Sequence, residues 1–296
     1  MGPYPYPIGL AVMVMGLTVN GSRCDVYKGE WVYDASYPLY NSTHCPFILE
    51  QFNCQNNGRP DHLYPKFRWQ PSSCHLPRFD TLSLQAYKVS IMFSRNAYLV
   101  DIVNGKHGRV LKLNSIGSGH LWKGVDLLIF NTWHWWLHTG RKQPWDYVQD
   151  GKRTYKDMNR TVAYEKALRT WARWVNLNVD PDKSKVFFQG VSPDHMDSRH
   201  RADRTTKTCR GETRPMLSRE YRGRQHPAEV ILKNVLRSVS KPVHLLDITG
   251  LSQLRKDGHP STFGSGGRRG IDCTHWCLPG VPDAWNELLL AALFRS

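Results

Sequence analysis

Acidic residues are scarce in this 296-residue chain: 25 Asp and Glu stand against 40 Lys and Arg, a formal net charge of +15. The surface field must favour an anionic partner, and nucleic acid, membrane headgroups and acidic polysaccharide all meet that requirement. Nucleic acid is set aside, because the basic clusters at residues 198–214 and 263–270 lack interleaved stacking aromatics and no groove-reading motif occurs. The N-terminal apolar run, residues 8–19, is too short to span a bilayer comfortably. It suits a signal peptide or signal anchor over residues 1–22, although the preceding "MGPYPYP" lacks positive charge and an N-terminal strand has the same length. Internal repeats and low-complexity tracts are also missing.

What is present argues for a folded, secreted-type chain. Eleven Trp and thirteen Tyr supply much burial per residue, which excludes global disorder. Cys24, Cys45, Cys54 and Cys74 crowd the first quarter, and Cys209, Cys273 and Cys277 follow far away. Such clustering reads as a disulfide framework, with one of the seven left over. Asn41 and Asn159 stand in glycosylation sequons. Residues 23–79 are rich in Pro, Gly, Asn, Tyr and Cys without helical periodicity, so they need staples rather than a core of their own. Over 80–296 the pattern changes. Apolar runs at 125–133, 184–192 and 241–252 predict parallel strands covered on both faces. Amphipathic helices are predicted at 160–181, with Val162, Leu168, Trp171 and Val175 inward, and at 226–239, with Val230, Val235 and Val239 inward. The order predicts a doubly wound α/β sheet whose sites gather at the carboxyl ends of its strands.

Candidate chemistry lies near the C-terminus, in "GIDCTHWCLPGVPDAWNELL". Asp272 and His275 are three apart, so the carboxylate can orient one imidazole nitrogen and leave the other as a general base. Taken alone the pair reads at least as readily as a structural ion pair. His134 and His138 could ligate zinc on a helix, but "HWWLH" lacks the Glu of a metalloprotease helix and no metal is expected. Trp133, Trp135 and Trp136 suit either a sugar-stacking cleft or the core. Arg255, Lys256 and His259 follow a predicted strand and suit either an acidic glycan or acetyl donor, or a solvated loop. The "GSGGRRG" stretch is read as a flexible loop, since no strand leads directly into it.

The wording around these residues is more specific than their spacing. "DCTHWCLPGVPDAWNELL", "IFNTWHWWLHTGRKQPWDY", "YEKALRTWARWV", "VFFQGVSP", "LLDITGLSQLRKDGHPS" and "GEWVYDASYPLY" strongly resemble the plant trichome birefringence-like family, the PC-esterase-type polysaccharide O-acetyltransferases. The resemblance runs from Cys24 almost to the end. It implies an SGNH-hydrolase-like fold, a membrane-anchored or luminal Golgi location, and transfer of acetyl to cell-wall polysaccharide such as xylan. It also implies an acetyl donor, acetyl-CoA being the candidate, and no bound cofactor. A serine of a Gly-Asp-Ser motif would attack the donor, His275 would take its proton and Asp272 would orient His275. Asn131 resembles an oxyanion-hole asparagine, a strand-end cap being the other reading, and His134 lies beside it. The same resemblance implies pairing of Cys24 with Cys74, Cys54 with Cys277 and Cys209 with Cys273. Cys45 would then have lost its partner.

The nucleophile itself is missing. After "RWQPSSCHLPRFD" the family continues with a strand, the Gly-Asp-Ser turn and a helix, whereas here Asp80 runs straight into Thr81, Leu82 and Ser83. Thr81 or Ser83 makes a poor substitute, because Phe79 occupies the glycine position and no apolar strand precedes the turn. The expectation is an α/β chain short of one sheet strand and impaired in transfer. The alternatives are a non-catalytic wall-polysaccharide-binding protein and a chain that does not fold stably.

Overall fold

Alternation along the apolar runs decides the layering. The structure, a computed structural model, describes residues 24–40, 42, 45–76, 90–196, 208–264 and 270–295. Its strands are β1 (Gly29–Tyr33), β2 (Phe67–Pro71), β3 (Asp101–Gly105), β4 (Gly108–Lys112), β5 (Leu127–Phe130), β6 (Tyr147–Asp150), β7 (Arg153–Tyr155), β8 (Lys185–Gln189) and β9 (His244–Leu246). The α-helices are α1 (Arg160–Asn178), α2 (Pro227–Arg237), α3 (Thr249–Gln253) and α4 (Val281–Arg295). The predicted runs become a parallel sheet of order β5-β8-β9. Successive side chains on a strand point to opposite faces. Val186 and Phe188 therefore enter one core with α1 and α2, and Phe187 enters a second core that also holds Leu288 of α4. Both faces of β8 are covered, which is why its run is continuously apolar.

A second sheet, β3-β4-β6-β7, mixes antiparallel and parallel pairs. On the outer side of β5 no strand is paired among the described residues, and Ile129 is 46% exposed. The junction of Asp80 with Thr81, where the missing block is expected, lies within residues 77–89, outside the described residues, as does the N-terminal apolar run. No helix of the described residues is long and apolar enough to cross a membrane.

The helices differ in detail from their predicted faces. Val162 is 44% exposed and Val230 39% exposed. Six residues separate Val162 from Leu168 and five separate Val230 from Val235, turns of about 600° and 500° that carry each pair off a common face. Ala163, Tyr164, Ala167 and Leu168 of α1, and Ala228, Leu232 and Val235 of α2, fill those places. Trp171 of α1 packs edge-on against Phe130 and Phe188 with ring centroids 5.3 and 4.9 Å away. The predicted third strand is shorter than its run, because Thr249–Gln253 turns into α3.

Asn159 is the N-cap of α1, its Oδ1 accepting from the amides of Thr161 at 3.0 Å and Val162 at 3.3 Å. Asn159→Ala is expected to lower stability by about 1 kcal/mol, read from urea unfolding; no change would mean the cap contributes nothing.

The Cys-rich segment has no independent core and is fastened to the rest. Cys24 is bonded to Cys74, Cys54 to Cys277 and Cys209 to Cys273, leaving Cys45 as a free thiol. The antiparallel pair β1-β2 places Trp31 and Trp69 in the second core. Trp31 Nε1 donates to the Leu251 carbonyl at 2.8 Å, tying β1 to α3. The N-terminal segment thus braces the chain just after β9.

Candidate active site

Three parallel strands deliver their carboxyl ends to one region. β5 leads into Asn131–Leu137, β8 into the stretch holding Ser192 and His195, and β9 into α3 and on to His259. The C-terminal turn at 272–277 lies across these ends. Its backbone is gripped at several points: Asp272 and Ser261 exchange amide hydrogen bonds at 2.8 and 2.9 Å, the His195 amide donates to the Cys273 carbonyl at 2.9 Å, and the Cys277 amide donates to the Gly258 carbonyl at 2.9 Å. The Cys209–Cys273 bond fixes the turn to the basic segment before α2.

Asp272 closes the turn like a cap. Its Oδ1 accepts from the amides of Thr274 at 3.0 Å and His275 at 3.1 Å, and from the Thr274 hydroxyl at 3.0 Å. Its Oδ2 lies 2.8 Å from His275 Nδ1. An ionised carboxylate can only accept, so Nδ1 carries the ring proton and Nε2 presents its lone pair. Among the described residues Nε2 makes no hydrogen bond. The Thr274 hydroxyl, 3.3 Å from Nδ1, is on the orienting side and cannot serve as the nucleophile.

Burial alone would raise the Asp272 carboxyl, but the His275 imidazole and the two turn amides outweigh it and hold the group below the usual carboxylate range. A depressed carboxyl contributes stability above its unfolded value, near 3.8, and that contribution is lost as pH falls through the lower folded value. Asp272→Asn is therefore expected to flatten the acid limb of stability against pH in urea titrations; an unchanged limb would show that the pair is not held this way.

His134 faces the pair, its ring centroid 5.2 Å from that of His275. Burial first, then the neighbouring rings of His275 and His138, push it below the usual histidine range. It is thus a neutral imidazole at neutral pH, available to hold a polar substrate atom. Asn131 is exposed at the end of β5, three residues before His134, with no side-chain hydrogen bond among the described residues. His138 is 6.0 Å from His134 by ring centroids on a 3-10 turn rather than an α-helix. Among the described residues no three His, Cys, Asp or Glu side chains are grouped to hold a metal ion.

Several residues read as substrate contacts lie elsewhere. Arg255 is fully buried: Nε and Nη2 pair with Asp257 at 2.8 and 2.9 Å, Nη2 also donates to the Tyr64 carbonyl at 2.7 Å, and the guanidinium sits 4.3 Å from the Trp31 ring. It clamps the N-terminal segment and cannot meet a glycan or a donor. Lys256 and His259 are buried as well, so neither reading of that loop holds. Trp133 and Trp136 belong to the first core, and only Trp135 of the three is left half-buried. Thr81, Ser83 and residues 265–269 of the glycine-rich loop lie outside the described residues. His195 and Arg59 were missed. The ring partner of His195 stands 64 positions away and the carbonyls of Asp257 and His259 that Arg59 reaches stand about 200 away, beyond any local spacing signal.

Comparison with known proteins follows the same outline. Residues 68–292 match the PC-Esterase family, described as a GDSL/SGNH-like acyl-esterase family found in Pmr5 and Cas1p, and residues 22–75 match the PMR5 N-terminal domain. Protein trichome birefringence-like 43 of Arabidopsis thaliana is 49% identical over 326 aligned positions, covering 92% of this chain and 89% of that protein. Protein trichome birefringence-like 39 of the same plant is 48% identical over 324 positions, covering 93% and 88%. Because 92% of 296 residues is about 272, about 54 of the 326 positions have no counterpart in this chain.

Proposed function

We propose that this chain, which belongs to the trichome birefringence-like family and carries its PC-esterase domain, is built for acetyl transfer to hydroxyls of cell-wall polysaccharide of the xylan type, in the Golgi lumen or at its membrane, and has lost turnover with its nucleophile. The supporting observation is a base with nothing to act on: His275 is oriented by Asp272 at 2.8 Å, and its Nε2 faces no hydroxyl among the described residues. The unmatched positions in the comparison with the first relative are enough for a strand, a turn and a helix, and the outer side of β5 is where a strand is wanting.

In the complete device a serine Oγ would attack the acetyl carbonyl carbon, passing its proton to His275 Nε2. The donor's leaving atom, a thiolate in a thioester such as acetyl-CoA, would depart with that proton. A glycan hydroxyl would then give its proton to the same nitrogen, take the acetyl group and return the serine. Asn131 and the neutral His134 would face the developing oxyanion or the acceptor. Without the serine the first bond cannot form, but a glycan-binding surface remains. The positive net charge favours that second reading, a non-catalytic wall-polysaccharide binder, for acidic glycans in particular.

The test is one sample and two measurements. Purified full-length chain is incubated with acetyl-CoA and xylan, its intact mass is searched for an acetyl increment, and glycan binding is titrated by calorimetry. Saturable binding without an acetyl-enzyme supports the proposal. An acetyl group on Thr81 or Ser83, with transfer to xylan, would overturn the impairment; absence of both binding and modification would remove the functional reading.

A further inference from the structure

Behind the candidate base two buried histidines meet ring to ring. His195 and His259 are each 1% exposed, and His195 Nδ1 lies 2.5 Å from His259 Nε2. Each outer nitrogen faces a carbonyl oxygen: His195 Nε2 is 3.2 Å from that of Gln253, and His259 Nδ1 is 2.5 Å from that of His275. A carbonyl has no proton to give, so each outer nitrogen must carry one. Two neutral rings would then have used their only ring protons outward and would present two lone pairs to each other across 2.5 Å. That contact is repulsive, whereas a third proton between the rings turns it into a short charge-assisted hydrogen bond. We infer that His195 and His259 form a singly charged, three-proton pair that positions the backbone of His275 through the His259 Nδ1–H donor.

The surroundings suit one positive charge. His259 stacks on Trp276 with ring centroids 4.0 Å apart and planes 26° from parallel, which lays the cationic ring on the negative face of the indole. Charged and titratable groups border the pair on every described element that packs there. Asp257, bound to Arg255, and Lys256 precede His259; Arg59 reaches the His259 carbonyl from the N-terminal segment at 2.9 Å, with Asp61 on its other side; Asp194 precedes His195; and Asp272 and His275 occupy the C-terminal turn. The pair therefore links the loop after β8, the loop after α3 and the turn carrying the base. His195 and His259 touch no reacting atom and are positioning residues. That role rests on reading His275 as the base; the proton count does not.

The sign of the pH dependence follows from the count. Below about 6.5 the two unfolded rings hold four protons against three in the fold, so stability rises with pH. Above it the unfolded rings hold two against three, so stability falls again. The pair's contribution therefore peaks near the ordinary histidine range. Replacing His195 by Asn offers His259 Nε2 a neutral amide donor and removes the need for the third proton.

The full-length chain labelled with 15N-histidine decides the matter by ring-nitrogen NMR near neutral pH. The expected spectrum has two fully protonated outer nitrogens and two inner nitrogens at intermediate shifts, with no bare, pyridine-type nitrogen in either ring. Two bare nitrogens in the pair would mean two protons and would overturn the inference. In urea titrations from about pH 5 to about pH 9, His195→Asn is expected to lose the alkaline fall expected of the parent; identical slopes would also overturn it. Neither readout uses turnover, so failure here leaves the role of His275 standing, and failure of that role leaves the proton count standing.

Discussion

Inserting between Asp80 and Thr81 a strand, a Gly-Asp-Ser turn and a helix, the block that the family resemblance implies there, is expected to raise ester turnover by about 10⁴-fold or more over background. On the proposed reading the present chain already holds the later half of the device. His275 has its Nδ1 proton committed to Asp272 and its Nε2 lone pair unengaged, and β5 has an outer edge without a strand among the described residues. A strand added there would end level with Asn131 and His134, since the carboxyl ends of parallel strands lie together. In the chimera, His275→Ala should return turnover to background. Asp272→Asn should cost about 10⁴-fold in kcat, because an amide can donate to Nδ1 and so favours the wrong tautomer. Hydrolysis of an acetyl ester measures both. A chimera that melts cooperatively, binds glycan and still shows only background turnover would mean that His275 is not the base.

The sequence exposed the parts of this molecule that repeat at a fixed period or stand close together. The run holding Lys185–Gln189 was visible because the middle strand is covered on both faces and buries Val186, Phe187 and Phe188, while the run holding Leu127–Phe130 is apolar although Ile129 on the edge strand is exposed. Asp272 and His275 were visible because three positions of chain bring them into contact. Helix faces were read less well: the valines at 162 and 230 look core-like by type, yet their angular positions carry them toward solvent. Arg255 shows the deeper limit. A cation after a strand in a basic chain suggests a ligand, and only the tertiary structure reveals Asp257, the Tyr64 carbonyl and the Trp31 face enclosing it. The His195–His259 contact has no local signature at all, since the two rings stand 64 positions apart with α2, β9 and α3 between them.

That enclosure leads to the largest expected loss of stability. Asp257→Ala is expected to cost about 3–5 kcal/mol, enough to take a large share of a typical domain's stability, because it strands a buried guanidinium. Both partners are fully buried, and among the described residues Arg255 Nη1 has no hydrogen-bond partner and only the Tyr64 carbonyl and the aromatic faces would remain to the cation after the substitution. Arg59 shares the consequence, since its Nη2 donates to the Asp257 carbonyl at 2.7 Å and its Nη1 to that of His259 at 2.9 Å. Loosening residue 257 thus loosens the loop that carries the histidine pair. The ion pair itself need not be the source of stability. Desolvating two charges offsets most of their attraction, so Arg255→Met combined with Asp257→Leu is expected to recover much of the single-variant loss. Urea unfolding of the parent, both single variants and the double variant measures the coupling. A double variant as unstable as the sum of the singles would show that the two side chains act independently, leaving the stability of the brace to the Trp31 and Tyr64 contacts and the Cys54–Cys277 bond.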